Sequence, residues 1–209
     1  MMAQSSSFQQ QEQGWMIYPE HGWRKAMFKI PIYLWRLGLA RFTPSNYLLL
    51  TTVGRKTGLV RRNMLEYTRV NDRFYLSSGW GSKARWYQNV IANPYVTVQT
   101  LREGAVSGKA VLVTDEQEVA MLYEHARDSS PIWNDYLVSW GIEDNARDFV
   151  GKRDRLCILR IDPVEMITPP PLAADLSWIW PLLGLMLLTS VGGILLARRN
   201  RLTMHLLHA

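Results

Sequence analysis

Between positions 23 and 37 the apolar residues Trp23, Ala26, Met27, Ile30, Leu34 and Leu37 recur at intervals of three and four, with Arg24, Lys25, Lys29 and Arg36 distributed around them. This period predicts a basic amphipathic helix, kinked at Pro31 because a proline inside a helix removes one backbone donor and crowds the preceding turn. One of its faces can pack on the folded domain and another can lie on an anionic membrane surface. The period then changes. Runs rich in Val, Leu, Thr and Tyr predict strands over Tyr47 to Val53, Asn63 to Val70, Phe74 to Ser78, Val96 to Leu101 and Ala105 to Val113. Asn71-Asp72 and Arg102-Glu103-Gly104 supply turn signals between them. Ala84 to Ala92 reads as an inserted helix stopped by Asn93-Pro94, since the residue before a proline avoids the helical region. Thr114 with Gln117 forms a capping box for a helix reaching Asp128, whose inward face carries Val119, Leu122, Tyr123 and Ala126. A helix over Pro131 to Gly141 and a closing strand over Leu156 to Ile161 complete the pattern. Strands are not alternated with helices as in a doubly wound fold, and no GxGxxG is present. The expected class is α+β, with an antiparallel sheet closing into a small barrel.

The ends of the chain read differently. Met1 to Gln13 is rich in Ser and Gln and has neither the basic nor the apolar region of a secretory signal, so residues 1–20 are expected to be a disordered tail. The folded domain is expected over 21–165. Pro163 and Pro169 to Pro171 mark 166–175 as a stiff linker. The mean hydropathy of -0.12 then conceals one very apolar run. Leu176 to Ala197 contains no charge, and as a helix it would extend roughly 33 Å, the thickness of a bilayer core. Trp178 and Trp180 sit at one end of it, and Arg198, Arg199 and Arg201 open the basic tail 198–209 beyond the other, which is the anatomy of a spanning helix. A buried core helix is the alternative, but so small a domain could hardly cover it on every side.

Composition narrows the partners. With 47% hydrophobic and 20% charged residues in 209, the chain is globular in character. A net charge of +6 and a pI near 9.6 favour anionic partners: phosphates, polyanionic cofactors or an acidic bilayer. Nucleic acid is disfavoured, because the cations lack the interleaved aromatic platform of such binders. Cys157 is the only cysteine, which excludes an intrachain disulfide and a multi-cysteine metal site, and the four histidines are scattered.

The most unusual local feature is Gly54-Arg55-Lys56-Thr57-Gly58, followed by Arg61 and Arg62. Two glycines permit a tight turn with exposed N–H groups, and the cations concentrate charge on one rim, which suits phosphate. The spacing is not that of a P-loop, and the loop leads to a strand. On composition alone a solvated basic hairpin is the commoner reading.

Taken together, LLLTTVGRKTG at Leu48 to Gly58, then Arg61, Asn63 and Leu65, then Trp86-Tyr87-Gln88-Asn89, Ala92-Asn93-Pro94, Val96 and Val98 resemble the signature of the deazaflavin-dependent nitroreductase family. Its members reduce quinones and nitro compounds with reduced coenzyme F420. The resemblance spans roughly Tyr47 to Asp162. It implies a split β-barrel, with F420 as cofactor and FMN as the alternative. It also implies that Gly54, Arg55, Lys56, Thr57, Gly58 and Arg61 hold the cofactor's phosphate and acidic tail, a task to which guanidinium geometry is well matched. By the same resemblance Asn63, Met64 and Leu65 lie beside the ring, while Ser78, Gly79, Trp80 and Gly81 approach its edge. Trp86 and Asn89 complete the pocket wall, Trp86 being equally readable as core packing. Tyr136 and Trp140 would contact the acceptor, although aromatics four apart are more often one packed helix face.

The implied reaction is hydride transfer to a quinone or nitro-type acceptor, in which the chemistry resides in the cofactor and no catalytic triad is expected. A haem- or FMN-binding split barrel, or a membrane-bound cofactor carrier without turnover, are the competing readings. The expected location is the cell membrane, single-pass. The arginines after the span would place the tail in the cytoplasm, whereas the lack of an export signal and the supply of reduced cofactor favour a cytoplasmic domain. A homodimer is compatible with the sequence.

Overall fold

The computed structural model describes residues 29–130 and 133–190. Its elements in chain order are α1 (Ile30–Arg36), β1 (Tyr47–Val53), β2 (Val60–Glu66), β3 (Thr68–Val70), β4 (Arg73–Ser77), α2 (Arg85–Ala92), β5 (Tyr95–Thr100), β6 (Gly104–Leu112), α3 (Glu116–Ser129), α4 (Trp133–Trp140), α5 (Ala146–Gly151), α6 (Arg153–Leu156) and β7 (Ile158–Pro163). The seven strands form one sheet in the order β2-β1-β5-β6-β7-β4-β3. Every adjacent pair is antiparallel.

Alternation along the strands builds the core. Leu48 and Leu50 of β1, Val96 and Val98 of β5, Phe74 and Leu76 of β4, and Leu159 and Ile161 of β7 are all buried in one cluster. Strands at opposite ends of the sheet order therefore share one interior, and Tyr67, just after β2, meets Phe74 edge-to-face at 5.4 Å. The sheet is thus curled, the antiparallel and partly closed form expected of a split barrel. Helix α2 enters the same interior through Ala84, Trp86, Tyr87 and Val90. A second cluster lies on the other face, where α3, α4 and α5 cover Val70, Tyr75 and Ile158 with Val119, Leu122, Trp133, Leu137 and Phe149. Where β6 pairs with β7 a glycine is needed at 108, since a Cβ on Gly108 would stand 2.3 Å from Ile161 Cγ2.

Several expected boundaries move. The strand expected over Asn63 to Val70 begins at Val60 and divides at Tyr67, whose N–H donates to Asn46 O at 3.0 Å. Helix α3 is capped by Asp115, which accepts from Glu118 N at 2.8 Å, and not by Thr114. In the described part of the first helix Pro31 sits in the first turn, where its missing N–H costs nothing, so it introduces no kink there. The short helices α5 and α6 form where the sequence pattern predicts no element.

The C-terminal hydrophobic run departs from the expected span of 176–197: it becomes helical at 179 and is described as far as 190. Among the described residues no helix is long and apolar enough to cross a membrane. Residues 191–197, the tail 198–209, and residues 1–28 lie outside the described residues.

The proline-rich segment is docked on the sheet. Thr168 Oγ1 lies 2.7 Å from Thr97 Oγ1 and 2.8 Å from Ser107 Oγ. Thr97 also donates to Pro169 O. Gln99 clasps Leu172 twice, accepting from its N–H at 2.7 Å and donating to its carbonyl at 3.1 Å.

Candidate active site

A cleft of about 1680 Å³ runs along the β1–β2 hairpin, bounded by α1, α2, the Gly79–Trp80 turn and the start of α4. Its hairpin end is shaped by the glycine-flanked loop. Gly54 N donates to Leu59 O at 2.8 Å, and Gly54 O accepts from Thr57 N and Gly58 N at 3.1 and 2.8 Å. Gly58 has φ 66, a conformation side chains disfavour, and a Cβ on Gly54 would crowd Thr57 Oγ1 at 2.9 Å. The loop is tied to α2 by Asn89, whose Oδ1 accepts from Arg55 N at 3.2 Å and from Arg55 Nη1 at 3.5 Å. Across the turn Arg61 Nη2 donates to Thr57 Oγ1 at 3.4 Å.

Charge in the cleft is one-sided. Lys29, Arg36, Arg55, Lys56, Arg61, Arg62 and Arg85 line it, whereas Glu66 is the single carboxylate among the described lining residues. Glu66 is itself engaged, accepting from Asn46 Nδ2 and Ser130 Oγ, each at 3.1 Å. A concave site with clustered cations and little compensating acid concentrates anionic ligands. Arg62 Nε is buried without a hydrogen-bond partner among the described residues.

Away from the hairpin turn the lining becomes aromatic and apolar, with Met64, Leu65, Tyr67, Trp80, Trp133 and Tyr136. Trp133 and Tyr136 stack with centroids 6.1 Å apart. The Tyr136 hydroxyl meets Ser77 Oγ at 2.5 Å, and Ser77 in turn donates to Leu156 O at 3.3 Å. Burial pushes the Tyr136 phenol well up, the Ser77 hydrogen bond opposing it, so the phenol stays protonated. Tyr75 donates to Glu118 Oε1 at 2.8 Å, and burial followed by that carboxylate pushes its phenol up to about 12. Behind it Arg160 reaches Glu118 at 2.9 Å and Asp162 at 2.7 Å.

Of the residues expected at a cofactor site, Gly54, Arg55, Lys56, Thr57, Arg61, Asn63, Met64, Leu65, Gly79, Trp80, Trp86 and Asn89 line this one cleft, as does Tyr136 of the acceptor pair. Gly58, Ser78, Gly81 and Trp140 do not reach its wall. Ser78 is buried and donates to Gly81 O at 2.7 Å. Gly81 has φ +56, and a Cβ there would meet Trp140 Cη2 at 2.9 Å. Ser78, Gly81 and Trp140 together hold the turn that presents Gly79 and Trp80. Trp86 serves both readings, because it is packed in the barrel core while part of it lines the cleft. Residue spacing alone did not single out Lys29 and Arg36, although their separation of seven puts them on one face of α1. Nor did it single out Ser77, Tyr75, Trp133 and Leu172, which reach the cleft through the sheet register and the docked segment.

Residues 38–141 match the model of the F420H(2)-dependent quinone reductase family. The chain belongs to that family. It is an F420-dependent oxidoreductase, and its cofactor is coenzyme F420. Among solved structures, an F420-H2-dependent reductase (FDR-A) is similar at 24% identity, over 56% of this chain and 94% of that one, with TM-score 0.42. A chain described as a domain-swapped dimer is similar at 18% identity, over 67% of this chain and 97% of that one, with TM-score 0.46. General stress protein 26 from Bacillus anthracis is similar at 16%, over 57% and 81%, with TM-score 0.38.

The residues of the cleft fit F420. An anionic tail needs desolvated or clustered cations, which the hairpin end supplies, and a planar ring needs a slot between flat side chains, which Trp80, Trp133 and Tyr136 border.

Proposed function

We propose that this family member transfers a hydride from reduced F420 to a quinone or nitro-type acceptor in the cleft, and that its hydrophobic C-terminal segment tethers it to a bilayer. The observation that carries the reading is the polarity of the cleft: its described lining holds seven cations against one carboxylate, with Arg55, Lys56 and Arg61 gathered at the hairpin turn, and an aromatic group of Trp80, Trp133 and Tyr136. When bound, the reduced deazaflavin supplies the hydride from its C5. In this reading Arg55, Lys56 and Arg61 hold the phosphate and acidic tail, and the N–H groups of the Gly54–Gly58 loop add neutral donors. Asn63, Met64, Leu65, Gly79 and Trp80 set the depth of the ring, with Ser78 and Gly81 fixing the turn behind it. Asn89 orients Arg55, and Trp86 closes the floor. Tyr136, neutral and aligned by Ser77, presents its hydroxyl to the acceptor, while Trp140 supports it from behind at a centroid distance of 6.5 Å. Enclosure by α1 and α4 excludes water from the reacting pair.

Tethering is supported by the exposure of Trp180, Leu183, Met186, Leu187 and Leu188 on the described part of the last helix, an apolar surface that water does not favour. It fits a quinone that partitions into lipid, whose local concentration near the cleft would rise. A cytoplasmic domain, where reduced F420 is regenerated, completes the reading. The test is turnover of reduced F420 with a lipid-soluble quinone and with a nitroarene, in detergent and in vesicles. Oxidation of F420 by neither acceptor would overturn the acceptor assignment. Release of the full chain from membranes by alkaline carbonate would overturn the tether.

A further inference from the structure

The segment after β7 does more than connect. Residues 168–178 run across the outer face of the sheet and touch two walls of the cleft in succession. At the first wall, Pro170 O accepts from Arg62 Nη2 at 3.4 Å, and the Leu172 side chain lines the cleft next to it. At the second, Asp175 N donates to Arg36 O at 2.6 Å and Trp178 Nε1 donates to Leu37 O at 3.1 Å. Leu176 packs over Gly38, so closely that a Cβ on that glycine would lie 2.5 Å from Leu176 Cδ2. Between the two walls the segment is fixed by Gln99, a buried β5 side chain whose amide pairs with both backbone groups of Leu172 as a neighbouring strand would. Three consecutive prolines, Pro169 to Pro171, make the run stiff and leave its carbonyls free to accept.

We propose that residues 168–178 form a strap that positions the cleft cations Arg62 and Arg36, adding them to the charge that Arg55, Lys56 and Arg61 present to the cofactor, with Gln99 as the positioning residue that latches it. This inference rests on the cofactor site proposed above. The guanidinium of Arg62 has a buried Nε without a hydrogen-bond partner among the described residues, while its Nη2 donates to the Pro170 carbonyl, which orients the fork beside the cleft. Helix α1, only seven residues long in the described chain, is held at its C-terminal end by the strap while Lys29, Ile32, Tyr33 and Arg36 face the cleft. A helix this short has little stability of its own and keeps its place through tertiary contacts. Since the strap leads directly into the hydrophobic helix that begins at 179, the tether and the cofactor site are joined through it.

The test is Gln99→Leu in the full chain, in detergent, with two readouts: amide hydrogen exchange at Leu172 and Asp175, and the Kd for oxidised F420 from fluorescence at several salt concentrations. We expect faster exchange at both amides and F420 binding weakened about tenfold, the size of one lost charge-assisted contact. We also expect a shallower salt dependence, because fewer cations stay aligned with the ligand. Val113→Ala, a core truncation at a residue that does not itself line the cleft, should lower Tm without changing the Kd. Trp178→Phe, which removes only the exposed indole bond to Leu37 O, provides a variant that keeps the fold if Gln99→Leu does not, and should weaken F420 about twofold to threefold. Faster exchange with an unchanged Kd, or unchanged exchange in Gln99→Leu, would overturn the strap assignment. A wild-type chain that fails to bind F420 would instead overturn the site on which the strap acts.

Discussion

Asn89 is the residue through which α2 controls the phosphate loop, and two substitutions there separate the structural and electrostatic parts of the site. In Asn89→Ala the buried amide disappears and Arg55 N–H loses its acceptor at 3.2 Å. An unsatisfied donor costs about 1 to 3 kcal/mol, and the loop is partly open to water, so about 1 to 2 kcal/mol is expected. For a chain of this size each kcal/mol corresponds to about 2 to 4 °C, giving a Tm loss of about 2 to 8 °C. The contact to Arg55 Nη1 at 3.5 Å is at the limit of a hydrogen bond and contributes mainly by restricting the guanidinium. Freeing that side chain should weaken F420 by about 0.5 to 1.5 kcal/mol, roughly twofold to tenfold. Asn89→Asp retains the acceptor and places a carboxylate next to Arg55, so it should keep stability within about 1 kcal/mol of wild type, a Tm change of about 2 to 4 °C at most, and still weaken F420. Differential scanning fluorimetry and a fluorescence titration on the same samples measure both quantities. Tighter F420 binding by Asn89→Asp, or an unchanged Kd in Asn89→Ala, would refute the role assigned to the loop.

Lys56→Ala and Arg61→Ala should each weaken F420 by about 1.5 to 3 kcal/mol at low salt, with the loss shrinking as salt rises; an unchanged Kd in both at low ionic strength would contradict the clamp. Gly81→Ala should destabilise the domain by about 1 to 3 kcal/mol, since φ is +56 and the new Cβ meets Trp140 at 2.9 Å, and Trp140→Phe in the same chain should recover part of the loss in thermal melts. The Asp162 carboxyl is held below its ordinary value of 3.8, chiefly by the Arg160 hydrogen bond, so its contribution to stability is present above that value and is lost as pH falls through the depressed one. Arg160→Met should therefore flatten the acid limb of Tm against pH, and an unaltered limb would assign acid sensitivity elsewhere.

How much of this was legible in the sequence depends on the range of the contacts. The strands were readable because alternation along Leu48, Leu50, Val96 and Val98 is a local, period-two signal that the barrel interior enforces. The hairpin turn at Asn71-Asp72 was equally local, and both residues adopt the positive φ that Asn and Asp tolerate. The break at Tyr67 was not readable, because it depends on a backbone bond to Asn46, outside the strand's own pattern. Helix α5 did carry a local sign, Asn145 accepting from Asp148 N at 2.8 Å, but it has one buried apolar residue, Phe149, and so almost no period. In the site, the glycine-flanked cations and the Trp86–Asn89 block were visible as motifs. The strap was hidden, because Pro169 to Pro171 read as a spacer and the Gln99–Leu172 pairing spans 73 positions. Lys29 and Arg36 carry a local sign only as part of an amphipathic face; their place in the cleft depends on contacts with that same distant segment.

The central claim is that the basic hairpin and the aromatic slot of this cleft together hold F420. It is tested most directly by titrating the purified full chain with oxidised F420 and, separately, with FMN, following the fluorescence of each ligand, in wild type and in the Lys56→Ala/Arg61→Ala double variant. Saturable F420 binding that is tighter than FMN binding, salt-sensitive and strongly weakened in the double variant is the predicted result. Tighter binding of FMN, or F420 binding indifferent to the loss of both cations, would contradict it.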